Sequence, residues 1–207
     1  MRSYDHILWC VDAQEDFMRR GGNLYVPGAE KLLPNIDRVV DTAREGRVFL
    51  VSHGCFHTMD DPEFKTFPPH CVKGTPGAEF VPEAMTSAYV RVANESGSSM
   101  PEDFLRNQQI ILEKQTLDIF ESRHAGALLQ RLDPNAEFVV FGVVTEYCVR
   151  LAAKGLLERG RRVCLVADAI ETLSHEANER TILELKALGA NLATTDEVLA
   201  RLTAAAR

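Results

Sequence analysis

What the chain lacks narrows it first. No apolar run approaches the ~20 residues that a membrane-spanning helix needs. The opening Met1-Arg-Ser-Tyr leads straight into a short apolar stretch, too short for the core of a secretion signal. Positive charge is not in excess: 23 Lys and Arg stand against 30 Asp and Glu, a net charge of −7, and the basic residues are scattered. Nucleic acid and anionic membrane surfaces are therefore not the expected partners. No Pro/Gly/Ser-rich linker and no internal repeat divides the 207 residues, so one domain over residues 1–207 is expected. Five cysteines, an odd number without regular spacing, do not read as a disulfide framework, and a reducing, cytoplasmic setting is the expectation. The first apolar stretch is not followed by Gly-x-Gly-x-x-Gly. Ala13-Gln-Glu-Asp-Phe17 offers no phosphate cradle, which speaks against a dinucleotide-binding oxidoreductase.

What is present alternates. His6-Ile-Leu-Trp-Cys-Val11 is a short continuous apolar run, the pattern of a strand covered on both faces. Residues 28–46 read as a helix, with Leu32, Leu33, Ile36, Val39, Val40 and Ala43 at helical spacing and Gly46 as its C-cap. Further strands are expected at 47–51, 109–112, 137–141, 162–167 and, weakly, 191–194. Helices are expected at 122–132, 148–159, 175–188 and from 195. Residues 88–92 could form one more small strand, and the rest of 81–108 is illegible, a candidate lid or contact in a homo-oligomer. The alternation predicts an α/β fold of three layers, α/β/α, around a mostly parallel six-stranded, Rossmann-like sheet. Sites in such sheets lie at the carboxyl ends of the strands, where strand order reverses. Asp12, Lys114 and Cys148 fall at such ends or just beyond.

Phe141-Gly-Val-Val-Thr-Glu-Tyr-Cys148 joins a buried strand, a glycine turn and a cysteine at the start of a helix. Amide N–H groups and the helix dipole favour thiolate there, and the same amides could serve an oxyanion. A cysteine nucleophile needs a base or a cation beside it. His124 and His175 lie in predicted helices or at their starts. Asp12 and Lys114 are better placed, the carboxylate to accept the thiol proton and return it to an amine leaving group. Taken singly, each has a plainer reading: Cys148 as a packing residue, Asp12 as a cap, Lys114 as a solvated strand end. Cys10, Cys71 and Cys164 read as packing residues.

From 52 to about 80 the periodicity disappears, while His53, Cys55, His57, Asp60, Asp61, Glu63, His70 and Cys71 crowd together. A loop this long in a compact domain is functional or disordered, and its ligand-type side chains favour the former.

Four segments carry a resemblance: Val11-Asp12-Ala-Gln14-Glu-Asp16-Phe17, Pro68-Pro-His70-Cys71-Val-Lys-Gly74-Thr75, Lys114, and Gly142-Val-Val-Thr145-Glu-Tyr-Cys148-Val149. Together they resemble the isochorismatase-like cysteine hydrolases and, through the Pro-Pro-His-Cys segment, the nicotinamidases. The resemblance implies a triad of Asp12, Lys114 and Cys148, an oxyanion hole from the Val144 and Cys148 N–H groups, and a cis Val143–Val144 peptide. It implies hydrolysis of nicotinamide to nicotinate and ammonia through a thioester. It also implies a divalent metal, zinc with iron or manganese as alternatives, whose ligand pattern falls on Cys55, His57, Glu63 and His70. Cys55 departs from that pattern, in which aspartate is usual; His53, Asp60 and Asp61 are the other candidate donors. Phe17, Phe67, Val143 and Tyr147 would line the substrate pocket, with Phe67 where tryptophan is common. The rival readings are a sister hydrolase acting on another small amide or ureide, and an inactive metabolite-binding scaffold.

Overall fold

The computed structural model describes residues 4–204, so the leading Met1-Arg-Ser lies outside it. Seven strands form one sheet: β1 (His6–Val11), β2 (Phe49–Cys55), β3 (Tyr89–Val92), β4 (Gln109–Lys114), β5 (Glu137–Val143), β6 (Arg162–Glu171) and β7 (Asn191–Ala193). Their order is β3-β4-β2-β1-β5-β6-β7, and every pairing is parallel. The expected count of six is thus corrected to seven. The added strand is β3, an edge strand of which only Val92 is buried, so its sequence carries little apolar signal.

The helices are α1 (Glu15–Met18), α2 (Leu33–Arg44), α3 (Ala125–Arg131), α4 (Arg150–Glu158), α5 (His175–Ala187) and α6 (Thr195–Ala204). They cover both faces, as parallel strands require. Leu8, Cys10 and Leu50 point to one core with Ile36, Val39 and Val40 of α2 and Val198 and Leu202 of α6. Ile7, Trp9 and Val11 alternate to the other, against Leu128 of α3, Leu156 of α4 and Leu185 of α5.

Four strands run past their expected ends, β4 and β5 by two residues and β2 and β6 by four. β2 continues through Ser52, His53 and Gly54 to Cys55, all buried, so the loop begins four residues later than the periodicity implies. Polar side chains sit here in a buried strand because the site needs them there. β6 runs ten residues, with a shifted register against β5 between Val140 and Gly142. Strand order reverses between β1 and β5, the point where a parallel sheet opens a crevice.

Candidate active site

Asp12 follows β1 at that crevice, Lys114 ends β4, and Cys148 follows β5, so three side chains 102 and 34 residues apart in sequence meet on one rim. Lys114 Nζ lies 3.0 Å from Asp12 Oδ2 and 3.7 Å from Cys148 Sγ. All three are buried. Asp12 holds a positive φ of 49° while its N–H donates to the His53 carbonyl at 2.9 Å. Gly142 lets β5 approach closely: a Cβ there would sit 2.0 Å from the Val11 carbonyl oxygen. The Val143–Val144 peptide is cis. Cys148 lies within a π-turn (Thr145–Val149) ahead of α4, rather than in the helix proper, and the Val144 carbonyl accepts from both Tyr147 and Val149 N–H.

The protonation pattern differs from the sequence expectation of a thiolate. Burial and the Asp12 carboxylate push the Cys148 thiol well above its ordinary range, with Lys114 opposing them only in part. Burial alone would lower Lys114, but Asp12, Cys148 and Cys55 outweigh it and hold its pKa well above the lysine range. The amine is therefore a fixed ammonium, and the resting sulfur keeps its proton. His53 lies behind the carboxylate, its Nδ1 3.7 Å from Asp12 Oδ1. Burial drives its pKa down to about 3, so it is a neutral imidazole, packed edge-on against Trp9. Sequence reading counted His53 among loop donors; its place inside β2 makes it the backing of Asp12 instead.

A second cluster adjoins the first. Cys55, His57 and His70 bring one ligand atom each within 4.8 Å of one another, all buried; His57, Asp61 and Glu63 form an overlapping group. The histidine Nδ1 atoms are engaged elsewhere, His57 with Asp61 Oδ2 and His70 with the Pro68 carbonyl, each at 2.9 Å. Such outer partners leave the two Nε2 atoms for a cation. His57 Nε2 is buried without a hydrogen-bond partner. Glu63 Oε1 lies 3.8 Å from His70 Nε2. Burial opposes charge on His57, yet Cys55, Asp61 and Glu63 overcome it and raise its pKa, so positive charge is favoured here. Sulfur, two imidazoles and a carboxylate make a donor set that fits a divalent ion of the zinc type. Asp60, by contrast, is in neither group. Cys55 also touches the first cluster, its Sγ 3.0 Å from Lys114 Nζ.

Buried side chains that the sequence reading assigned no role fix this geometry. Gln14 donates to the Cys55 and Ala78 carbonyls (2.6 and 2.7 Å) and accepts from the Cys55 N–H (2.7 Å). Asp16 accepts from the Cys71 N–H at 2.6 Å, anchoring the segment that presents His70. A run of polar residues after a strand signals such anchoring only once the distant backbone they reach is known.

A pocket opens above both clusters. Phe17, Phe67, Val143 and Tyr147 all line it, together with Asp12, Cys148, Glu63, His70 and Val144. Lys114, Cys55 and His57 are not among the lining residues. Phe17 and Phe67 approach the His70 ring from 5.3 and 6.4 Å. Leu24, Tyr25, Val26, Leu117 and Leu173 complete the wall and were missed, since single apolar residues in loops carry no periodic signal. Residues 81–108 lie elsewhere, supplying β3 and packing Phe104 into the core, so none of them lines this pocket. All five cysteines are unpaired, and among the described residues no helix is long and apolar enough to cross a membrane.

The isochorismatase domain model matches residues 6–100 and 93–197. The Escherichia coli nicotinamidase is 25% identical over 211 residues, covering 90% of this chain and 93% of that protein. The Mycobacterium tuberculosis nicotinamidase/pyrazinamidase is 28% identical over 192 residues, covering 89% and 96%. The structure of the Pyrococcus horikoshii pyrazinamidase in complex with zinc superposes with a TM-score of 0.73 at 28% identity, covering 92% of this chain and 99% of that one.

Proposed function

The chain belongs to the isochorismatase family and is a hydrolase acting on amides, and from that premise we propose that it converts nicotinamide and water to nicotinate and ammonia. The observation that carries the reading is the meeting of Asp12, Lys114 and Cys148 at the base of an aromatic-lined pocket that His70 also lines.

In this reading Cys148 Sγ attacks the carboxamide carbon as its proton passes to Asp12. Lys114, a permanent ammonium, stabilises the anionic charge that moves between carboxylate and sulfur. The Val144 and Cys148 N–H groups donate to the oxyanion, where preorganised donors act most strongly. Asp12 returns the proton to the leaving nitrogen, ammonia departs, and a thioester remains. A water, deprotonated by Asp12, cleaves it to the carboxylic acid and restores the thiol. Because the resting thiol keeps its proton, Asp12 must act as base in the first step. Phe17, Phe67, Val143 and Tyr147 hold the ring flat. The chemistry of a divalent ion at Cys55, His57, Glu63 and His70, proposed as zinc, is Lewis acidity that would anchor an electron-rich ring nitrogen.

The experiment is ammonia release from nicotinamide. Cys148→Ala and Asp12→Asn should each lower turnover by at least about 10³-fold while leaving the circular dichroism spectrum unchanged. Turnover that survives in Cys148→Ala would rule out the thioester route. No release from nicotinamide, with release from another small amide that depends on Cys148, would shift the reading to a sister hydrolase.

A further inference from the structure

The pocket is lined by the polar Asp12, Glu63, His70 and Cys148 and, among its apolar residues, by Leu24, Val26, Leu117 and Leu173. Tyr25 also faces the pocket, but its hydroxyl is engaged, donating to Glu30 and accepting from the Gly28 N–H. Leu173 is 57% exposed and Tyr147 42%. Isolated exposed leucines need no explanation. This one is fixed in place. Glu146 Oε1 accepts from the Leu173 N–H at 3.0 Å, and Oε2 accepts from the Thr172 hydroxyl at 2.7 Å. Thr145 Oγ1 donates to the Glu171 carbonyl at 2.9 Å. Thr145 and Glu146 belong to the same five-residue turn as Cys148. The apolar wall is therefore tied to the turn that carries the sulfur.

Resting on the amide-hydrolysis reading, we propose that Leu173, held by Glu146, is a specificity-determining residue. It selects aromatic primary carboxamides that carry an apolar ring substituent, over amides and ureides that carry a carboxylate. An alkyl group against Leu173, Leu117 and Leu24 removes apolar surface from water on both sides. A carboxylate there would meet no Lys or Arg among the lining residues, in a pocket that already holds Asp12 and Glu63.

The test measures ammonia release from nicotinamide, 5-propylnicotinamide and N-carbamoylglycine with each enzyme preparation, so that ratios cancel differences in active fraction. For the unmodified chain, kcat/KM for 5-propylnicotinamide should exceed that for nicotinamide about tenfold, and N-carbamoylglycine should fall at least about 10²-fold below. Leu173→Ala and Glu146→Ala should each reduce the propyl-to-nicotinamide ratio about tenfold. Glu146→Gln keeps an acceptor for the Leu173 N–H and should hold that ratio within about threefold. Nicotinamide cleaved faster than its propyl derivative, or a ratio unmoved by Leu173→Ala, overturns the proposal. Release from 5-propylnicotinamide without release from nicotinamide would overturn the nicotinamide assignment and leave the apolar wall standing. No release from any of the three would sink both.

Discussion

Lys114 is the residue on which the local electrostatics turn. Its ammonium is fully buried and reaches Asp12, Cys55 and Cys148 together. Removing one member of a buried charged pair leaves the other desolvated and unpaired, which costs about 3–5 kcal/mol. Lys114→Met should therefore lose that much stability in denaturant titrations as well as activity; a variant of unchanged stability would mean that the Lys114–Asp12 contact does not support the fold. His53 makes a separate prediction. Its folded pKa, about 3, lies below its ordinary value of 6.5, so the unfolded chain binds a proton that the native chain does not. Its contribution to stability is complete above pH 6.5 and is lost as pH falls toward 3, with a slope of up to about 1.4 kcal/mol per pH unit. In His53→Leu the stability curve should be flatter across that window. An unchanged acid limb would show that other groups govern it. At this scale the sequence was most informative where polar side chains follow apolar runs: Asp12 directly, Lys114 just past Glu113, and Cys148 beyond the Gly142 turn. The pairing of His53 with Asp12 was hidden, because it depends on β2 lying beside β1, with Val11 opposite His53.

The elements were legible where both faces are buried and harder to read where a strand carries polar side chains. β1, β4 and β5 announce themselves as apolar runs. β2 conceals its last four residues behind Ser52, His53, Gly54 and Cys55, which periodicity assigns to a loop although the ladder to β4 continues to Cys55 opposite Lys114. The edge strand β3 leaves only a faint signal over 88–92, and the π-turn at Cys148 has no signature of its own. Both depend on what they pack against. Gly142 is the position at which the meeting of elements is tightest, with φ at 119° and the Val11 carbonyl where a side chain would go. Gly142→Ala must push β5 from β1 at the base of the site. The expected cost is about 3 kcal/mol or more, read as a fall in thermal midpoint, with loss of activity even at temperatures where the variant stays folded. A variant as stable and active as the parent would mean that the two strand ends are free to separate.

Across the whole molecule the cation-favouring cluster links the sheet to the long loop. Cys55 belongs to β2, His57 bridges to Val72 just past it, and His70 sits in the loop itself. The backbone ties are few: His57 N–H to the Cys71 carbonyl at 3.0 Å and Lys73 N–H to the His57 carbonyl at 2.9 Å. Between them residues 58–67 carry several exposed side chains, Met59 among them at 71% exposure. An ion bound by Cys55, His57, His70 and Glu63 would hold this loop against the sheet only in the folded chain, and whatever binds the folded state alone stabilises it by mass action. Zinc at a free concentration one hundred times its dissociation constant should add about 2.7 kcal/mol. For a chain of this length that is a rise in thermal midpoint of about 5–10 °C. A chelator should reverse the rise and open residues 58–67 to limited proteolysis, and His57→Ala should abolish the zinc response. Equal midpoints for zinc-loaded and chelated protein, or a zinc response that persists in His57→Ala, would place the ion elsewhere and detach the loop from the chemistry of the pocket.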